Sequence, residues 1–346
     1  MPEKKKILYI VEAMGGGVFT YIVDLANELV DFYDMYIAYA VRKQTPKNYK
    51  DYFDKRVHLI EVKNFERAIN PSKDIAAFFE VKRIANEVKP DIIHLHSSKA
   101  GAIGRMAFNG KIPMFYTPHG YSFLMENYKP IKRRLFKLIE SVCAKRKCTT
   151  ISCSIGEHQK SLKLTKNAIY VNNGINMAEL QEIIDKTEKV NHPFTVYTLG
   201  RICYQKNPTL FNEIASSLPD VKFIWIGDGE LRKELTSKNI EITGWSDRTT
   251  AIKYSVNADA FLLTSRWEGL PISLLESMYM KKVCVVSNVI GNRDVIHTGE
   301  NGFVCSCTDE YVHAIRSAQS NNTDTITESA YDGSHAGKEG SYEQAG

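Results

Sequence analysis

Short, continuously apolar runs recur along the chain, and segments with helical periodicity lie between them. Such runs are typical of strands that are buried on both faces of a parallel sheet. We predict strands over 7–11, 35–40, 57–62, 91–98, 114–117, 150–154, 194–199, 222–226, 240–242, 260–264 and 283–287, and one that runs into a turn over 168–175. Helical periodicity covers 18–30, 75–88, 100–108, 210–216, 231–237 and 251–257.

The alternation of strands and helices occurs twice, on either side of a polar, charged stretch. Two such series predict two Rossmann-like domains, each with its own parallel sheet. We place the first domain at 1–176, a hinge or linker at 177–193 and the second domain at 194–316. Residues 317–346 are rich in Ser, Asn, Thr, Gly and Glu, a composition typical of linkers and disordered segments. We expect this low-complexity tail to be disordered or foreign to the fold.

Composition narrows the class of protein. The 346 residues are 43% hydrophobic and carry a net charge of +5, which suits an anionic ligand or membrane surface and does not imply nucleic acid. The seven cysteines include no Cys-x-x-Cys pair, so we expect reduced thiols rather than disulfides or a zinc site. No apolar stretch reaches transmembrane length, and Glu12 interrupts the short run that follows the lysines at 4–6. We therefore expect a cytosolic protein.

Residues 265–276 hold the densest group of candidate site residues. The strand at 260–264 leads into Glu268, Gly269 and Pro271, and a helix with Glu276 follows. Glycine suits the tight turn, and proline suits the start of the helix. We expect the N–H groups of 269–273 to point into the crevice at the carboxyl end of the strand, where ligands bind in open α/β sheets. Taken alone, Glu268 could instead cap the helix dipole, and Glu276 could be a solvated helix residue.

A glycine-rich turn follows the first predicted strand and consists of Gly15, Gly16 and Gly17. Such a turn lets the backbone approach a phosphate or a sugar closely. Thr20 occupies the third glycine position of the dinucleotide fingerprint, so this fingerprint is not present.

Other polar residues follow strands in both halves of the chain. Arg201 and Lys206 come after the first strand of the second domain, where two cations suit a diphosphate. His119 lies beside a glycine at the end of another strand, and both a structural role and a site role are open for it. His94 and His96 face one side of their strand, and we interpret them as core histidines or as supports of a site rather than as metal ligands.

A basic amphipathic helix begins at Lys129. Basic residues cluster at its start, and its apolar stripe consists of Ile131, Leu135, Leu138, Ile139 and Val142. Two interpretations are open. Either the stripe packs on the core and the charged face is solvated, or the helix contacts anionic lipid head groups.

The set of motifs, in this order, resembles the retaining glycosyltransferases of family 4 (glycosyl transferases group 1), which have the GT-B fold. The resemblance spans residues 7–304. It implies two Rossmann-like domains facing a central cleft, the first on the acceptor side and the second binding a nucleotide sugar. The matching pieces are Gly15-Gly16-Gly17, Pro118-His119-Gly120, Asn173-Gly174-Ile175, Gly200-Arg201, Gln205-Lys206-Asn207, Gly227-Asp228-Gly229, the E-x(7)-E pair Glu268 and Glu276, and the stretches 291–296 and 300–303.

The resemblance also implies roles for individual residues. Arg201 and Lys206 would hold the diphosphate and stabilise the departing nucleotide, while Glu268 and His119 would contact the donor sugar. Glu276 would accept hydrogen bonds from the ribose. The remaining implied site residues are Gly269, Leu270, Pro271 and Ile272 for phosphate and sugar, Gly244 and Trp245 for the base, and Gly15, Gly16 and Gly17 for the acceptor and diphosphate.

The implied reaction moves a hexosyl or N-acetylhexosaminyl group from a nucleoside-diphosphate sugar, with UDP as the expected nucleotide. The expected acceptor is a lipid-linked glycan in capsule, O-antigen or exopolysaccharide synthesis, with a soluble saccharide as the alternative. The resemblance implies that no metal or other cofactor is needed, and the sequence contains no Asp-x-Asp motif that would suggest one. We also expect peripheral contact with an anionic membrane at its cytosolic face and no nucleic-acid partner.

Two other functions stay open from the sequence. A sugar-nucleotide epimerase shares this fold, and a catalytically silent protein would bind nucleotide without turnover. Family members usually continue into further helices, the last of which returns to the first domain. The tail at 317–346 has scarcely an apolar face and departs from that pattern.

Overall fold

The computed structural model describes residues 3–12, 14–42, 45–66 and 68–320. The chain divides into two compact units between Asn172 and Asn173, four residues before the end of the first domain proposed above. The part of the tail from 321 to 346 lies outside the described residues.

The first unit contains seven strands and five α-helices among its described residues. The strands form one parallel sheet in the order β3-β2-β1-β4-β5-β6-β7. The elements are β1 Lys6–Val11, α1 Gly16–Leu29, β2 Asp34–Tyr39, β3 His58–Glu61, α2 Pro71–Val88, β4 Ile92–His96, α3 Ser98–Ala107, β5 Met114–Thr117, α4 Pro130–Cys143, β6 Thr149–Ser152, α5 Ile155–Ser161 and β7 Ala168–Tyr170, with 3-10 turns at Tyr49–Tyr52 and Ser122–Leu124.

The second unit repeats this architecture with a six-stranded parallel sheet in the order β10-β9-β8-β11-β12-β13. Its elements are α6 Met177–Asp185, β8 Thr195–Leu199, α7 Pro208–Ser216, β9 Lys222–Ile226, β10 Ile240–Gly244, α8 Arg248–Val256, β11 Ala260–Leu263, α9 Ile272–Tyr279, β12 Val283–Ser287, β13 Phe303–Cys305 and α10 Thr308–Gln319, with 3-10 turns at Tyr204–Lys206 and Arg232–Glu234.

Each sheet is buried on both faces, as the continuously apolar runs predict. In the first unit, alternate residues of β1 point to different cores: Leu8 and Ile10 lie in one apolar cluster, and Tyr9 and Val11 lie in the other. The order of each sheet reverses beside its first strand, between β1 and β4 in one unit and between β8 and β11 in the other. Ligands of open α/β sheets bind at the carboxyl ends of strands at such a point.

The predicted strands are confirmed with small shifts of their ends, whereas several other boundaries differ. The stretch proposed as a linker contains α6, whose Leu180 and Ile183 are buried against α8. The helix predicted at 231–237 is wrong, because the described backbone forms one short 3-10 turn there. Helix α10 runs past 316 to Gln319, since Ala318 still packs in the core of the second unit.

Helix α4 does not bury its apolar stripe. Ile131 is 76% exposed and Leu138 61%, so the interpretation that this stripe packs on the core is wrong. The buried positions of the helix include Glu140 and Cys143. Glu140 forms an ion pair with Arg105 of α3 at 2.6 Å, and both side chains are almost fully buried.

The Arg105–Glu140 pair anchors α4 to α3 in the first unit. Tyr116 of β5 also donates a hydrogen bond to Glu140 at 2.8 Å. Removing one member leaves the other charge buried and uncompensated, so Glu140→Ala should lower the free energy of unfolding by about 3–5 kcal/mol. Chemical denaturation measures this loss.

The exposed pair of Arg83 and Glu87 supplies the matched control for this substitution. Glu87→Ala should change the free energy of unfolding by less than about 0.5 kcal/mol, because both partners are solvated. Equal effects of the two substitutions would show that the buried pair does not hold α4 in place.

Candidate active site

In the second unit, two loops at the carboxyl edge of the sheet bring predicted site residues together. Lys206 follows β8 and Glu268 follows β11, and Lys206 Nζ lies 2.8 Å from Glu268 Oε1. Gln205 donates hydrogen bonds to the Trp267 carbonyl at 3.0 Å and to the other Glu268 oxygen at 3.4 Å. Because Lys206 and Glu268 are 16% and 9% exposed, the pair is partly shielded from water.

Glycines allow this close approach of loops. At Gly200, with φ of 147°, an added Cβ would lie 3.3 Å from the Lys206 side chain. At Gly227 it would lie 2.3 Å from the Gly200 carbonyl oxygen, and at Gly229 it would lie 2.2 Å from that of Ile202. Real Cβ atoms do not approach a backbone oxygen so closely, so at these glycines the loops after β8 and β9 are in direct backbone contact.

Arg201 follows β8 directly and is partly exposed. Within the described part of the chain, its guanidinium forms no ion pair or hydrogen bond. A partly exposed guanidinium without a protein partner can form two parallel hydrogen bonds to a phosphate. The edge therefore carries one cation paired with a carboxylate and one that is open to an anion.

The turn after Glu268 leads into α9. Pro271 precedes the helix, and no side chain caps its first turn within the described residues. Leu270 and Ile272 are buried, so only their backbone groups remain for a ligand. Asn173 donates to the Leu270 carbonyl at 2.7 Å and helps to fix the turn. Helix N-termini of this kind bind anions through N–H groups.

Glu276 lies inside α9 and is 3% exposed. Its Oε1 lies 2.5 Å from Nη1 of Arg248, at the start of α8, and Arg248 Nε lies 3.4 Å from Glu179 of α6. Burial raises the pKa of Glu276, and the Arg248 charge opposes that rise. Sequence reasoning missed Arg248, since nothing local marks a partner so distant along the chain.

Trp245 follows the edge strand β10 and is 64% exposed. Gly244 before it has φ of 79° and forms an isolated bridge with Gly227. The aromatic ring therefore stands in solvent at the same edge of the sheet as Lys206 and Glu268, where a flat base could stack on it.

In the first unit, Gly15 is the N-cap of α1, and Gly16 and Gly17 are the first residues of this helix. Gly16 has φ of 59°, which a residue with a side chain adopts rarely. An added Cβ at Gly16 or Gly17 would meet no atom within 4 Å, so the space beside this backbone is open. No described side chain caps α1. Open backbone of this kind lets a ligand approach closely, and that role stays a prediction for Gly15, Gly16 and Gly17.

His119 follows β5 and has φ of 52°, a left-handed conformation that is uncommon outside glycine. Its Nε2 lies 3.1 Å from Nδ1 of His96, and its ring packs edge-on against Tyr21. Burial lowers the pKa of His119 to about 3, so the ring is neutral at physiological pH. A neutral imidazole can donate or accept a hydrogen bond at its other nitrogen.

Glu157 holds the backbone beside His119. Its Oε1 accepts the Gly120 N–H at 2.7 Å, and its Oε2 accepts the Cys153 N–H at 2.9 Å. Burial raises the pKa of Glu157, and these two N–H donors oppose that rise. Sequence reasoning missed this residue, although the spacing of Ser154 and Glu157 is that of a capping box and marks a helix start.

His94 and His96 are 8% and 0% exposed, which confirms the interpretation that they are core or supporting histidines. Their rings are 4.0 Å apart, and His94 Nε2 lies 2.9 Å from Thr117 Oγ1. Burial lowers the pKa of both rings, to about 3 for His94. The described residues include no cluster of three or more His, Cys, Asp or Glu that could hold a metal ion.

Among the described residues, no helix has the length and apolar character needed to cross a bilayer.

Two solved structures share this architecture of two Rossmann-like units. Sucrose-phosphate synthase from Thermosynechococcus elongatus has a TM-score of 0.78 at 14% identity, with 96% of this chain and 94% of that chain covered. HepE from Anabaena, solved with UDP and glucose, has a TM-score of 0.75 at 16% identity, with 96% and 95% covered. At this identity the likeness establishes the GT-B fold of two Rossmann-like units.

Sequence comparison assigns the family. Residues 15–179 match the family model "Glycosyltransferase Family 4", and residues 180–332 match "Glycosyl transferases group 1". An Escherichia coli UDP-Gal:alpha-D-GlcNAc-diphosphoundecaprenol alpha-1,3-galactosyltransferase is 30% identical over 292 residues, which cover 75% of this chain and 73% of that protein. The capsular polysaccharide biosynthesis glycosyltransferase CapM of Staphylococcus aureus is 25% identical over the same length and coverage. The chain belongs to the glycosyl transferases group 1 and is a glycosyltransferase, which confirms the resemblance.

Gly291 packs directly on the turn that carries Glu268. It has φ of 87°, and an added Cβ would lie 2.0 Å from the Gly269 carbonyl oxygen. Gly291→Ala should therefore displace this turn and lower the melting temperature of the protein. Gly299 has φ of 84° but open space at its Cβ position, so Gly299→Ala measures the cost of the backbone conformation alone. Equal losses in the two variants would contradict a backbone contact at Gly269.

The neutral state of His94 predicts a pH dependence of stability. Its pKa is about 3 in the folded protein and about 6.5 in an unfolded chain. The unfolded state therefore binds an additional proton below about pH 6.5, and the folded state loses about 1.4 kcal/mol per pH unit down to the folded pKa. His94→Gln removes this term, so its stability should fall less than that of the wild type between about pH 7 and pH 5.

Denaturant titrations at both pH values measure this difference. His297→Gln, at an exposed position of the second unit, is the matched control and should keep the wild-type pH dependence. A His94→Gln variant with the same pH dependence as the wild type would contradict a neutral, buried His94.

Proposed function

We propose that this glycosyltransferase moves a sugar from a nucleoside-diphosphate sugar, with UDP as the nucleotide, to a hydroxyl of a lipid-linked glycan, and that the anomeric configuration is retained. The observation that supports the proposal is the presence of two cations, Arg201 and Lys206, at the carboxyl edge of the sheet in the second unit. Lys206 is held against Glu268, while Arg201 has no protein partner within the described residues. Two cations beside an uncapped helix N-terminus suit a diphosphate.

The donor is bound by residues of the second unit. Arg201, Lys206 and the N–H groups from Gly269 to Ile272 bind the diphosphate. Glu276 accepts hydrogen bonds from the ribose hydroxyls, and the Arg248 charge stabilises and orients this buried carboxylate. Trp245 lies against the base. The support for these roles is the location of the residues at one carboxyl edge and their charges.

The reaction breaks the bond between the anomeric carbon and the phosphate oxygen and forms a bond to the acceptor hydroxyl oxygen. The hydroxyl proton leaves to a phosphate oxygen or to water. Negative charge develops on the departing diphosphate, and Arg201 and Lys206 stabilise it electrostatically. Glu268 contacts the donor sugar and holds the Lys206 side chain in place through their ion pair. These cations supply the required charge, so we propose that no metal is needed.

His119 of the first unit forms a hydrogen bond to the donor sugar near the reacting carbon. Its ring is neutral because burial lowers its pKa, and His96 fixes one ring nitrogen. The glycine turn at the start of α1 approaches the acceptor and the diphosphate through its backbone.

The acceptor is a lipid-linked precursor of an envelope polysaccharide. The support is the name of the Escherichia coli relative, which specifies a diphosphoundecaprenol acceptor, and that of the Staphylococcus aureus relative, which specifies capsular polysaccharide. A hexosyl or N-acetylhexosaminyl group is the transferred sugar. A protein that meets such an acceptor works at the inner face of the membrane as a peripheral protein.

Thermal stabilisation by a panel of nucleotides and nucleotide sugars tests the donor assignment. UDP should raise the melting temperature, and one UDP-sugar should raise it further, because ligands that bind the folded state stabilise it. Product analysis with that sugar and a diphosphoundecaprenol-linked acceptor then tests transfer and anomeric configuration. A folded protein that responds to no nucleotide would contradict the proposal.

Substitutions in the second unit should separate binding from turnover. Lys206→Ala and Glu268→Ala should lower kcat about 100-fold or more, since they remove or misplace charge at the leaving group. Glu276→Ala should raise KM for the donor about tenfold with little change in kcat, because it removes a contact made before and during reaction. Initial-rate kinetics with both substrates measure these effects.

The solvated pair of Lys222 and Glu241 in the same unit is the matched control. Lys222→Ala removes a lysine from an ion pair, as Lys206→Ala does, and should leave both constants unchanged. Wild-type rates in Lys206→Ala or Glu268→Ala would remove the catalytic roles given to these residues.

A further inference from the structure

Helix α4 of the first unit presents its apolar residues to solvent. Ile131 is 76% exposed, Leu135 47%, Leu138 61% and Val142 49%. These positions are spaced by four, three and four residues, so they form one continuous stripe along the helix. An ordered stripe of large apolar side chains on the outside of a protein marks an interaction surface.

The buried residues on the opposite side of α4 determine that the apolar stripe faces solvent. Phe136, Glu140 and Cys143 face the core, and the buried ion pair with Arg105 holds them there. At about 100° per residue, the centre of the stripe lies roughly 140° around the helix axis from these positions. The helix therefore buries its carboxylate and exposes its apolar residues, the reverse of an ordinary surface helix.

Positive charge surrounds the stripe. Between residues 129 and 147 the sole carboxylate is Glu140, which Arg105 neutralises. The exposed basic residues of this segment are Lys129, Lys132, Arg134, Lys137, Lys145, Arg146 and Lys147. Along the helix, Lys132 lies on one side of the stripe, and Arg134 and Lys137 lie on the other.

We propose that this α4 surface, formed by Ile131, Leu135, Leu138, Val142 and the flanking basic residues, docks the protein on an anionic lipid bilayer. The helix lies in the plane of the interface, with its apolar stripe among the upper acyl chains and its lysines and arginines at the lipid phosphates. The proposal rests on the proposed function, since a lipid-linked acceptor is presented at such a surface. The observation that supports it is the exposed apolar stripe of α4.

The charges favour lipid over two other occupants. A second copy docked stripe to stripe would bring two sets of basic residues together, which is unfavourable. The chain from 321 to 346 contains few large apolar residues, namely Ile326, Tyr331 and Tyr342, and does not match a stripe of four aliphatic side chains. An anionic bilayer offers both an apolar interior and negative charge.

Flotation of the full chain with lipid vesicles tests the proposal. The wild type should bind vesicles of phosphatidylcholine mixed with phosphatidylglycerol and should bind pure phosphatidylcholine at least about tenfold more weakly. Ile131→Ser with Leu138→Ser should lower binding to the mixed vesicles by at least about tenfold, because both side chains would enter the acyl region. Arg134→Gln with Lys137→Gln should weaken binding to the mixed vesicles and reduce the preference for anionic lipid.

A matched control comes from α2 in the same unit. Ile75 and Phe79 are 60% and 62% exposed and also lie one turn apart. Ile75→Ser with Phe79→Ser removes a comparable exposed apolar area and should leave vesicle binding within about twofold of the wild type. An equal loss in this control would overturn the assignment to α4, as would wild-type binding in the Ile131 and Leu138 variant or equal binding of the wild type to both kinds of vesicle.

Two further measurements separate this proposal from its alternatives. Thermal stabilisation by UDP should be unchanged in the α4 variants; vesicle binding without any response to UDP would support docking while contradicting the donor assignment. Light scattering after size exclusion should give one mass for the wild type and the Ile131 and Leu138 variant. A wild-type dimer that this variant converts to a monomer would identify the stripe as a self-association interface and overturn the proposal.

Discussion

Parallel pairing of every strand is the constraint on which both units depend. Because all strands of a sheet end at the same edge, residues that are far apart in the chain meet there without any local signal. Lys206 after β8 reaches Glu268 after β11 in this way, and Trp245 after β10 projects from the same edge. The first unit uses the same rule to place the glycine turn after β1 and His119 after β5 at one edge. The chemistry of each unit is thus a result of topology.

In each unit, a buried carboxylate forms an ion pair with an arginine. Glu276 is paired with Arg248, and Glu140 with Arg105, and each carboxylate is almost completely removed from water. Pairs of this kind contribute little net stability but are costly to break. In the second unit the pairing orients the carboxylate that we propose binds the ribose, whereas in the first it fixes the rotation of a helix. Similar physics therefore supports two different tasks.

Sequence reasoning recovers what is local. The apolar runs predict the strands, and Gly269 with Pro271 predicts the turn into α9. Sequence reasoning does not find Arg248 as the partner of Glu276, because the two lie 28 residues apart in the chain. It also misses Glu157 as the acceptor of the Gly120 N–H, 37 residues away. The periodicity of α4 reveals a stripe but does not reveal which side faces the core. Which side of α4 faces the core depends on Arg105 of α3, which forms the buried ion pair with Glu140.

The glycine contacts beneath Lys206 have a consequence for protein engineering. At Gly227 and Gly229 the adjoining backbone leaves no room for a side chain, so a library randomised there would return mostly unfolded proteins. Arg201 and Trp245 project from the rim, and many replacements at these two positions would leave the fold intact. Directed evolution toward a donor with another base should therefore vary Trp245 and keep Gly227 and Gly229, whereas replacing Arg201 would remove a proposed contact to the diphosphate.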